Sequence, residues 1–257
     1  MAKLGMQLIV YRGREREDLA GVLKAVAGAG YEGVETGNLS ALMPLDQVKA
    51  IFQETGLALS GVHCGYGDFK DPVKLDANLK FLTGMGGRYL MCSGVENADT
   101  REGYEASAEV FNRAGRVARD AGAVFCYHNH NWEFKKFGDT LAIDLLAQQT
   151  DPELVKLNID LFWVAVGGED PAAFVRRYAG RCPYFHVKDG EWEPGSPGKA
   201  TKFCELGRGK VDLPKAVDAA LATNPAWLIY EQDTAYDKDP TQAATESLQY
   251  LKSILSR

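Results

Sequence analysis

The sequence predicts a single closed (β/α)₈ barrel of the α/β class, and three observations support this prediction. Its 257 residues fit one such domain, because these barrels occupy about 250 residues. Short apolar runs alternate eight times with amphipathic stretches, which is typical of parallel strands joined by crossover helices. A doubly wound open sheet shows the same alternation but usually has a GxGxxG turn after its first strand. The corresponding segment, YRGRERED, lacks that turn.

Each predicted strand is a short run rich in β-branched or aromatic residues. The strands are predicted at 4–11, 31–36, 57–64, 88–93, 123–130, 155–162, 182–188 and 226–232. The helices between them show apolar residues at a 3.6-residue period, as in EDLAGVLKAVAGA. They are predicted at 17–29, 45–55, 73–85, 102–121, 139–149, 170–180, 213–223 and 240–255. Proline suits a first helical turn, and four of these helices begin near Pro44, Pro171, Pro214 and Pro240.

Charge and cysteine content argue against several classes of protein. The 29 basic and 35 acidic residues give a net charge of −6, whereas a nucleic-acid-binding protein usually has a basic face. No apolar run reaches the roughly 18 to 20 residues of a membrane span, and the N-terminal segment predicts a strand rather than a signal peptide. Five cysteines without CxxC spacing favour a reducing compartment. We therefore expect one cytoplasmic domain over 1–257, without nucleic-acid or membrane partners, and homo-oligomer formation stays open.

Residues capable of chemistry cluster at the C-terminal ends of the predicted strands, where barrels of this kind build their active sites. All four histidines lie there: His63, His128, His130 and His186. Carboxylates at such ends are Glu35, Glu133, Asp160 and Glu231. Asp160 and Glu231 lie in apolar runs, so each should be paired or bound to a cation, because an isolated buried carboxylate is costly.

The fifth predicted strand contains two histidines in the segment CYHNHNWEF. His128 and His130 are two residues apart, so on a strand both would face the same side. They could bind a metal or hydrogen-bond substrate hydroxyls. The alternative is that both are core histidines whose ring nitrogens are hydrogen-bonded within the protein. Glu133, Asp160, His186 and Glu231 together offer one nitrogen and three carboxylates. That set suits a divalent ion such as Mn²⁺, Co²⁺, Mg²⁺ or Zn²⁺.

Seven segments resemble, in order, those of the xylose isomerase-like TIM barrels, a group of sugar (phosphate) isomerases and epimerases that also contains type IV apurinic endonucleases. They are LGMQLIVYR, GYEGVETG, YHNHNWEF, NIDLFWVAVGGEDP, FHVKDG, ELGRGKVD and IYEQD. The resemblance implies one divalent metal held by strands five to eight, through Glu133, Asp160, His186 and Glu231. Many relatives have a glutamate where this chain has His128. Either Glu133 reaches back to the metal or His128 replaces it, and we favour Glu133.

The resemblance also implies a metal-dependent sugar isomerase or epimerase that removes the proton next to a carbonyl through a metal-stabilised enediolate. Glu133 and Glu231 would be its acid/base groups. The residues expected to contact the carbohydrate are Glu35, His63, His128, His130, Trp163, Lys188 and Arg208. The alternative is a lyase or dehydratase that eliminates a β substituent from a keto sugar or inositol derivative. An endonuclease would need more metal ligands and a basic face, and a non-catalytic binding barrel would leave Asp160 and Glu231 unexplained.

Overall fold

Eight parallel strands close into a barrel, as predicted. The computed structural model describes residues 2–234 and 238–257. The strands in these ranges are β1 (Lys3–Gln7), β2 (Gly33–Thr36), β3 (Ala58–Gly65), β4 (Tyr89–Ser93), β5 (Val124–His128), β6 (Lys136–Phe137), β7 (Thr140–Leu141), β8 (Val155–Asp160), β9 (Tyr184–Val187), β10 (Asp189–Glu193), β11 (Lys199–Cys204) and β12 (Trp227–Tyr230). The barrel order is β1-β12-β9-β8-β5-β4-β3-β2, and neighbouring strands pair in parallel, β1 with β2 included.

Helices connect the barrel strands. Those in the described ranges are α1 (Leu19–Ala29), α2 (Leu45–Thr55), α3 (Tyr66–Lys70), α4 (Pro72–Gly84), α5 (Arg101–Asp120), α6 (Ala142–Gln149), α7 (Leu161–Val166), α8 (Pro171–Arg177), α9 (Leu213–Leu221) and α10 (Pro240–Leu255). Four of them begin with a capping aspartate and a proline in the first turn, after Asp71, Asp170, Asp212 and Asp239. Each aspartate accepts a hydrogen bond from a backbone N–H that the helix itself leaves unpaired. None of the described helices combines the length and apolar content that a bilayer span requires.

Five barrel strands end earlier than predicted: β1, β5, β8, β9 and β12. In β1 and β8 a side chain binds the backbone that follows the strand. The first strand ends at Gln7, whose side chain accepts the N–H of Ile9 and starts a 3₁₀ turn. The sixth barrel strand, β8, ends at Asp160, which caps α7. The fifth strand ends at His128, so His130 lies after the strand. The prediction that His128 and His130 share one face of this strand was therefore wrong. The two imidazole rings still lie 4.8 Å apart.

Two antiparallel hairpins, β6–β7 and β10–β11, were not predicted. The second is inserted directly after the seventh barrel strand, β9, and carries two aromatic residues. Trp192 and Phe203 lie 5.9 Å and 5.5 Å, ring centre to ring centre, from Phe162 of α7. The hairpin is therefore packed against the helix that follows Asp160.

The barrel interior is filled on the side away from the strand C-termini. A compact cluster of buried side chains lies at the first or middle positions of their strands: Tyr89, Met91, Cys126, Tyr184, Trp227 and Ile229. The packing leaves no room for a side chain at Gly61, where a Cβ would lie 2.3 Å from Met91 Cε. The charged side chains of the candidate site lie at the other end, where the strands finish.

Candidate active site

Four buried side chains converge where β5, β8, β9 and β12 end. They are His128, Asp160, His186 and Glu231, and one ligand atom of each lies within 4.8 Å of the others. Their exposed fractions are 1%, 0%, 0% and 5%. The barrel order makes these four strands consecutive neighbours. Side chains that lie up to 103 residues apart in the sequence are thereby brought into one cluster.

Nδ1 of His128 has no hydrogen-bond partner within the described ranges, whereas Oδ2 of Asp160 and Oε2 of Glu231 lie near the Lys188 ammonium and Nδ1 of His186 contacts Glu231. An unpaired buried polar atom costs roughly 1–3 kcal/mol, so the unpaired His128 nitrogen within this cluster indicates a place for a ligand. Two imidazoles and two carboxylates suit a borderline-to-hard divalent ion. The other oxygen of Asp160 accepts the N–H groups of Phe162 and Trp163, at 2.9 and 3.0 Å, which fixes the direction of its carboxylate.

Lys188 brings a positive charge to the same cluster. Its Nζ lies 3.2 Å from Asp160 Oδ2, 3.4 Å from Glu231 Oε2 and 3.0 Å from Asp233 Oδ2. Burial alone would lower the pKa of Lys188, but the three carboxylates outweigh it and raise that pKa. The ammonium also lies 5.3 Å from the ring centre of Trp163, within cation–π range. Lys188 therefore stays charged and offsets part of the acidic charge of the cluster.

Glu35 is bonded to two histidine rings and is not exposed at the surface of the site. Its Oε1 is 2.8 Å from Nδ1 of His63, and its Oε2 is 2.8 Å from Nε2 of His186. Burial alone would raise the pKa of Glu35, but the charge of His186 and the bonds to both imidazoles lower it to about 2. Burial would likewise lower the pKa of His186, and the carboxylates of Glu35 and Glu231 raise it to about 10. Glu35 is fully buried, so it acts on these two rings.

Glu133 is not among the four converging side chains; the structure brings His128 there instead. The carboxylate of Glu133 accepts hydrogen bonds from Tyr127 Oη at 2.5 Å and from the His130 N–H at 2.7 Å. Tyr127 precedes His128 on β5, and neighbouring side chains of a strand face opposite sides. The ring of Tyr127 packs 5.1 Å from that of Phe111 in α5. The bond to Tyr127 therefore holds Glu133 on the helix side of the barrel wall.

Glu133 is expected to make stability depend on pH. Burial raises the pKa of Glu133 from 4.5 to about 7, against the hydrogen bonds from Tyr127 and His130. Because the folded-state pKa is the higher one, its stabilising contribution is complete below pH 4.5. As the pH rises through 7 that contribution is lost, at a cost of about 3 kcal/mol. Urea unfolding between about pH 5 and pH 8 should show a shallower pH dependence in Glu133→Gln. Identical pH profiles for the two proteins would contradict this expectation.

The remaining predicted contact residues divide into two groups. His63 lies 5.0 Å from His128, ring centre to ring centre, and its side chain is 14% exposed. His130 stacks on Trp132 at 4.0 Å and lies 5.5 Å from Trp163. These rings surround the cluster, whereas Arg208 does not reach it.

The Arg208 side chain is 61% exposed and pairs with Glu205 and Glu246 at 3.7 and 3.2 Å. The structure also places Phe203, which the sequence did not indicate, 5.6 Å from the Lys188 ammonium. The sequence pattern around Phe203 gave little indication of a site residue, because Phe203 lies on a mostly exposed hairpin strand.

The fold and the position of the cluster define a (β/α)₈ barrel with its polar site at the strand C-termini. The chain belongs to the xylose isomerase-like TIM barrel family, whose sequence model matches residues 23–254. The predicted family is therefore confirmed.

Comparison with individual proteins gives a consistent picture. The inosose dehydratase of Geobacillus kaustophilus is 29% identical over 191 residues, which are 65% of this chain and 61% of that protein. The chain thus spans about three fifths of this relative. A sugar phosphate isomerase/epimerase from Parabacteroides distasonis has a TM-score of 0.82 at 21% identity, covering 98% of this chain and 94% of that one. The IolI protein with a bound zinc atom has a TM-score of 0.80 at 15% identity, covering 99% and 98%.

Proposed function

We propose that the protein is a divalent-metal-dependent enzyme that removes the proton next to a carbonyl in a keto sugar or keto-inositol. The observation that carries this proposal is the buried cluster of His128, Asp160, His186 and Glu231, in which one ligand atom of each residue lies within 4.8 Å of the others. When bound, Mn²⁺, Co²⁺, Mg²⁺ or Zn²⁺ would polarise the carbonyl as a Lewis acid. The zinc atom in the IolI structure supports a divalent ion.

The proposed base is Glu231, the carboxylate of the cluster that retains some exposure. Burial alone would raise the pKa of Glu231, but Lys188 and His186 outweigh it and lower that pKa, so the group is ionised near neutral pH. Lys188 and the partly exposed His63 and His130 would hydrogen-bond substrate oxygens. Trp163 offers a ring face against which a sugar ring can pack.

Loss of water fits these residues better than epimerisation by two carboxylates. Epimerisation returns the proton to the opposite face of the carbon, and the second carboxylate expected for that step, Glu133, is bonded to Tyr127 and His130 instead. In the elimination, Glu231 takes the proton, and the C–H electron pair forms the new C=C bond as the β C–O bond breaks. The C–O electron pair stays on the departing hydroxyl, which receives the proton from Glu231 and leaves as water. The name inosose dehydratase, carried by the Geobacillus relative, supports this reaction class.

Isomerisation is the second candidate, because one base can take the proton from one carbon, exchange it with solvent and protonate the neighbouring carbon. The likeness to a sugar phosphate isomerase/epimerase supports it. Incubation of the metal-loaded protein with inososes and ketoses in D₂O, followed by mass spectrometry, separates the two candidates. A dehydration lowers the substrate mass by that of one water molecule, whereas an isomerisation keeps the composition and exchanges hydrogen for deuterium. If none of the inososes and ketoses loses water or exchanges hydrogen for deuterium, the proposed function is contradicted.

Metal affinity is expected to depend on His128 and not on Glu133. His128→Ala removes a proposed ligand and should lower Zn²⁺ affinity by about 100-fold or more, beyond the usual effect of an outer-shell partner. Glu133→Gln should leave the affinity close to that of the unmodified protein, because its carboxylate is bonded to Tyr127 and His130. Competition with a chromogenic chelator measures both variants, and metal analysis should show one ion per chain. A greater loss in Glu133→Gln than in His128→Ala would restore Glu133 as the ligand.

A further inference from the structure

An irregularity in the pairing of β2 with β3 places Glu35 between two histidines. Val34 pairs with Leu59, but the next residue, Glu35, pairs with Gly61, so one residue of β3 is left over. Such a bulge increases the local twist and turns the following side chains. The extra residue is Ser60, whose Oγ lies 2.8 Å from Tyr184 Oη. The bulge is thus held in place by a buried polar contact across the barrel.

The two oxygens of Glu35 determine which nitrogen of each ring carries hydrogen. An ionised carboxylate only accepts hydrogen bonds, and a neutral imidazole has one N–H and one accepting nitrogen. The nitrogens bonded to Glu35 are Nδ1 of His63 and Nε2 of His186. A cation bound at Nδ1 of His186 takes the place of the proton there, so the ring keeps its hydrogen on Nε2. In a neutral His63 ring the free nitrogen is Nε2, which makes neutral His63 and cation-bound His186 opposite tautomers.

The two ring nitrogens that do not bond Glu35 have different surroundings. Nδ1 of His186 contacts Glu231 Oε2 and belongs to the cluster proposed to bind the cation. Nε2 of His63 makes no hydrogen bond with residues 2–234 or 238–257, and the His63 side chain is the more exposed of the two, at 14% against 0%. Glu35 itself is fully buried, so it reaches the chemistry through these rings alone.

We propose that Glu35 is a positioning residue that fixes His63 and His186 as opposite tautomers. One buried carboxylate would then present Nδ1 of His186 to the cation and Nε2 of His63 as an acceptor to a substrate hydroxyl. This inference rests on the proposed function only in assigning a cation to His186. Outer-shell partners of metal-binding histidines commonly control ring orientation, and their loss lowers metal affinity by about 10- to 100-fold.

The tautomers can be observed directly by ¹⁵N NMR of histidine-labelled protein loaded with Zn²⁺, with signals assigned through His63→Ala and His130→Ala. The expected pattern is Nδ1–H for His63 and Nε2–H for His186. This measurement needs no variant of Glu35, so it remains decisive if such a variant fails to fold. A His63 ring protonated at Nε2 would overturn the proposal.

Glu35→Gln provides the second measurement. The amide has one accepting oxygen and one donating nitrogen, so one of the two rings must change tautomer. Zn²⁺ affinity should fall by about 10- to 100-fold. The control is Glu32→Gln, which should leave the affinity unchanged, because the exposed Glu32 side chain bonds the N–H of Leu4 and neither imidazole ring. Unchanged tautomers and affinity in Glu35→Gln would overturn this inference alone. A protein that binds no Zn²⁺ would instead refute the proposed function, while His63 would still report on Glu35.

Discussion

Glu231→Gln is expected to slow the exchange of the substrate C–H proton with solvent by about 10²- to 10⁴-fold, the usual contribution of a positioned base. The amide keeps the size of the side chain and one oxygen, but it cannot accept the proton. Proton NMR of a turned-over keto substrate in D₂O measures the exchange directly. The loss should appear in the rate and not in the fold, so the urea unfolding midpoint checks that the barrel is intact.

The matched control for this prediction is Glu193→Gln, the same substitution at an exposed position of β10. Exchange in this control should equal that of the unmodified protein. If Glu231→Gln also exchanged at the unmodified rate, another group would have to be the base. The proposed role of Glu231 would then be restricted to holding the cation.

Asp189→Ala is expected to lower the free energy of unfolding by about 4 kcal/mol or more, since it leaves four backbone N–H groups without their partner and each costs about 1–3 kcal/mol. The fully buried carboxylate accepts four backbone N–H groups. Oδ1 receives those of Gly190 and Val211 at 2.9 and 3.2 Å, and Oδ2 receives those of Gly207 and Gly209 at 2.9 and 3.0 Å. Asp189 thereby fastens the ELGRGKV loop to the strand end that carries Lys188. Urea unfolding measures the loss.

Asp212→Ala is the matched control for Asp189→Ala. Asp212 is exposed and caps α9 through a single N–H, that of Lys215 at 3.2 Å, so its loss should cost about 1 kcal/mol, as for other N-caps. Equal destabilisation by the two substitutions would show that the four-donor arrangement around Asp189 adds nothing beyond one ordinary cap.

The eightfold alternation was sufficient to predict the barrel because strand and helix periodicities are local properties of a sequence. The residues at which the strands end were harder to predict. Whether β8 stops at Asp160 depends on that side chain capping the next helix, and the sequence reads equally well as a longer apolar strand. The β10–β11 hairpin escaped prediction because its strands are largely exposed and lack the apolar runs that mark the barrel strands.

Within the site, residue types were easier to predict than residue roles. His128, Asp160, His186 and Glu231 were all candidates, since each lies at the C-terminal end of a predicted strand. The position of Glu133 five residues beyond His128 did not reveal the side of the wall on which it lies, because that depends on the bond to Tyr127. The role of Glu35 depends on partners 28 and 151 residues away, a relation that local patterns do not contain.

The strand order gives the barrel two functional halves. β5, β8, β9 and β12 are adjacent and supply all four residues of the cluster proposed to bind a cation, whereas β1 to β4 form the facing arc. Under the proposed function, sequence change in the loops that follow β1 to β4 should alter which substrate is accepted without disturbing a proposed ligand. Glu35 is the exception, since it reaches from β2 to His186 on β9. If the proposed function holds, attempts to redirect the protein to new substrates should diversify the first half of the chain and keep this one residue constant.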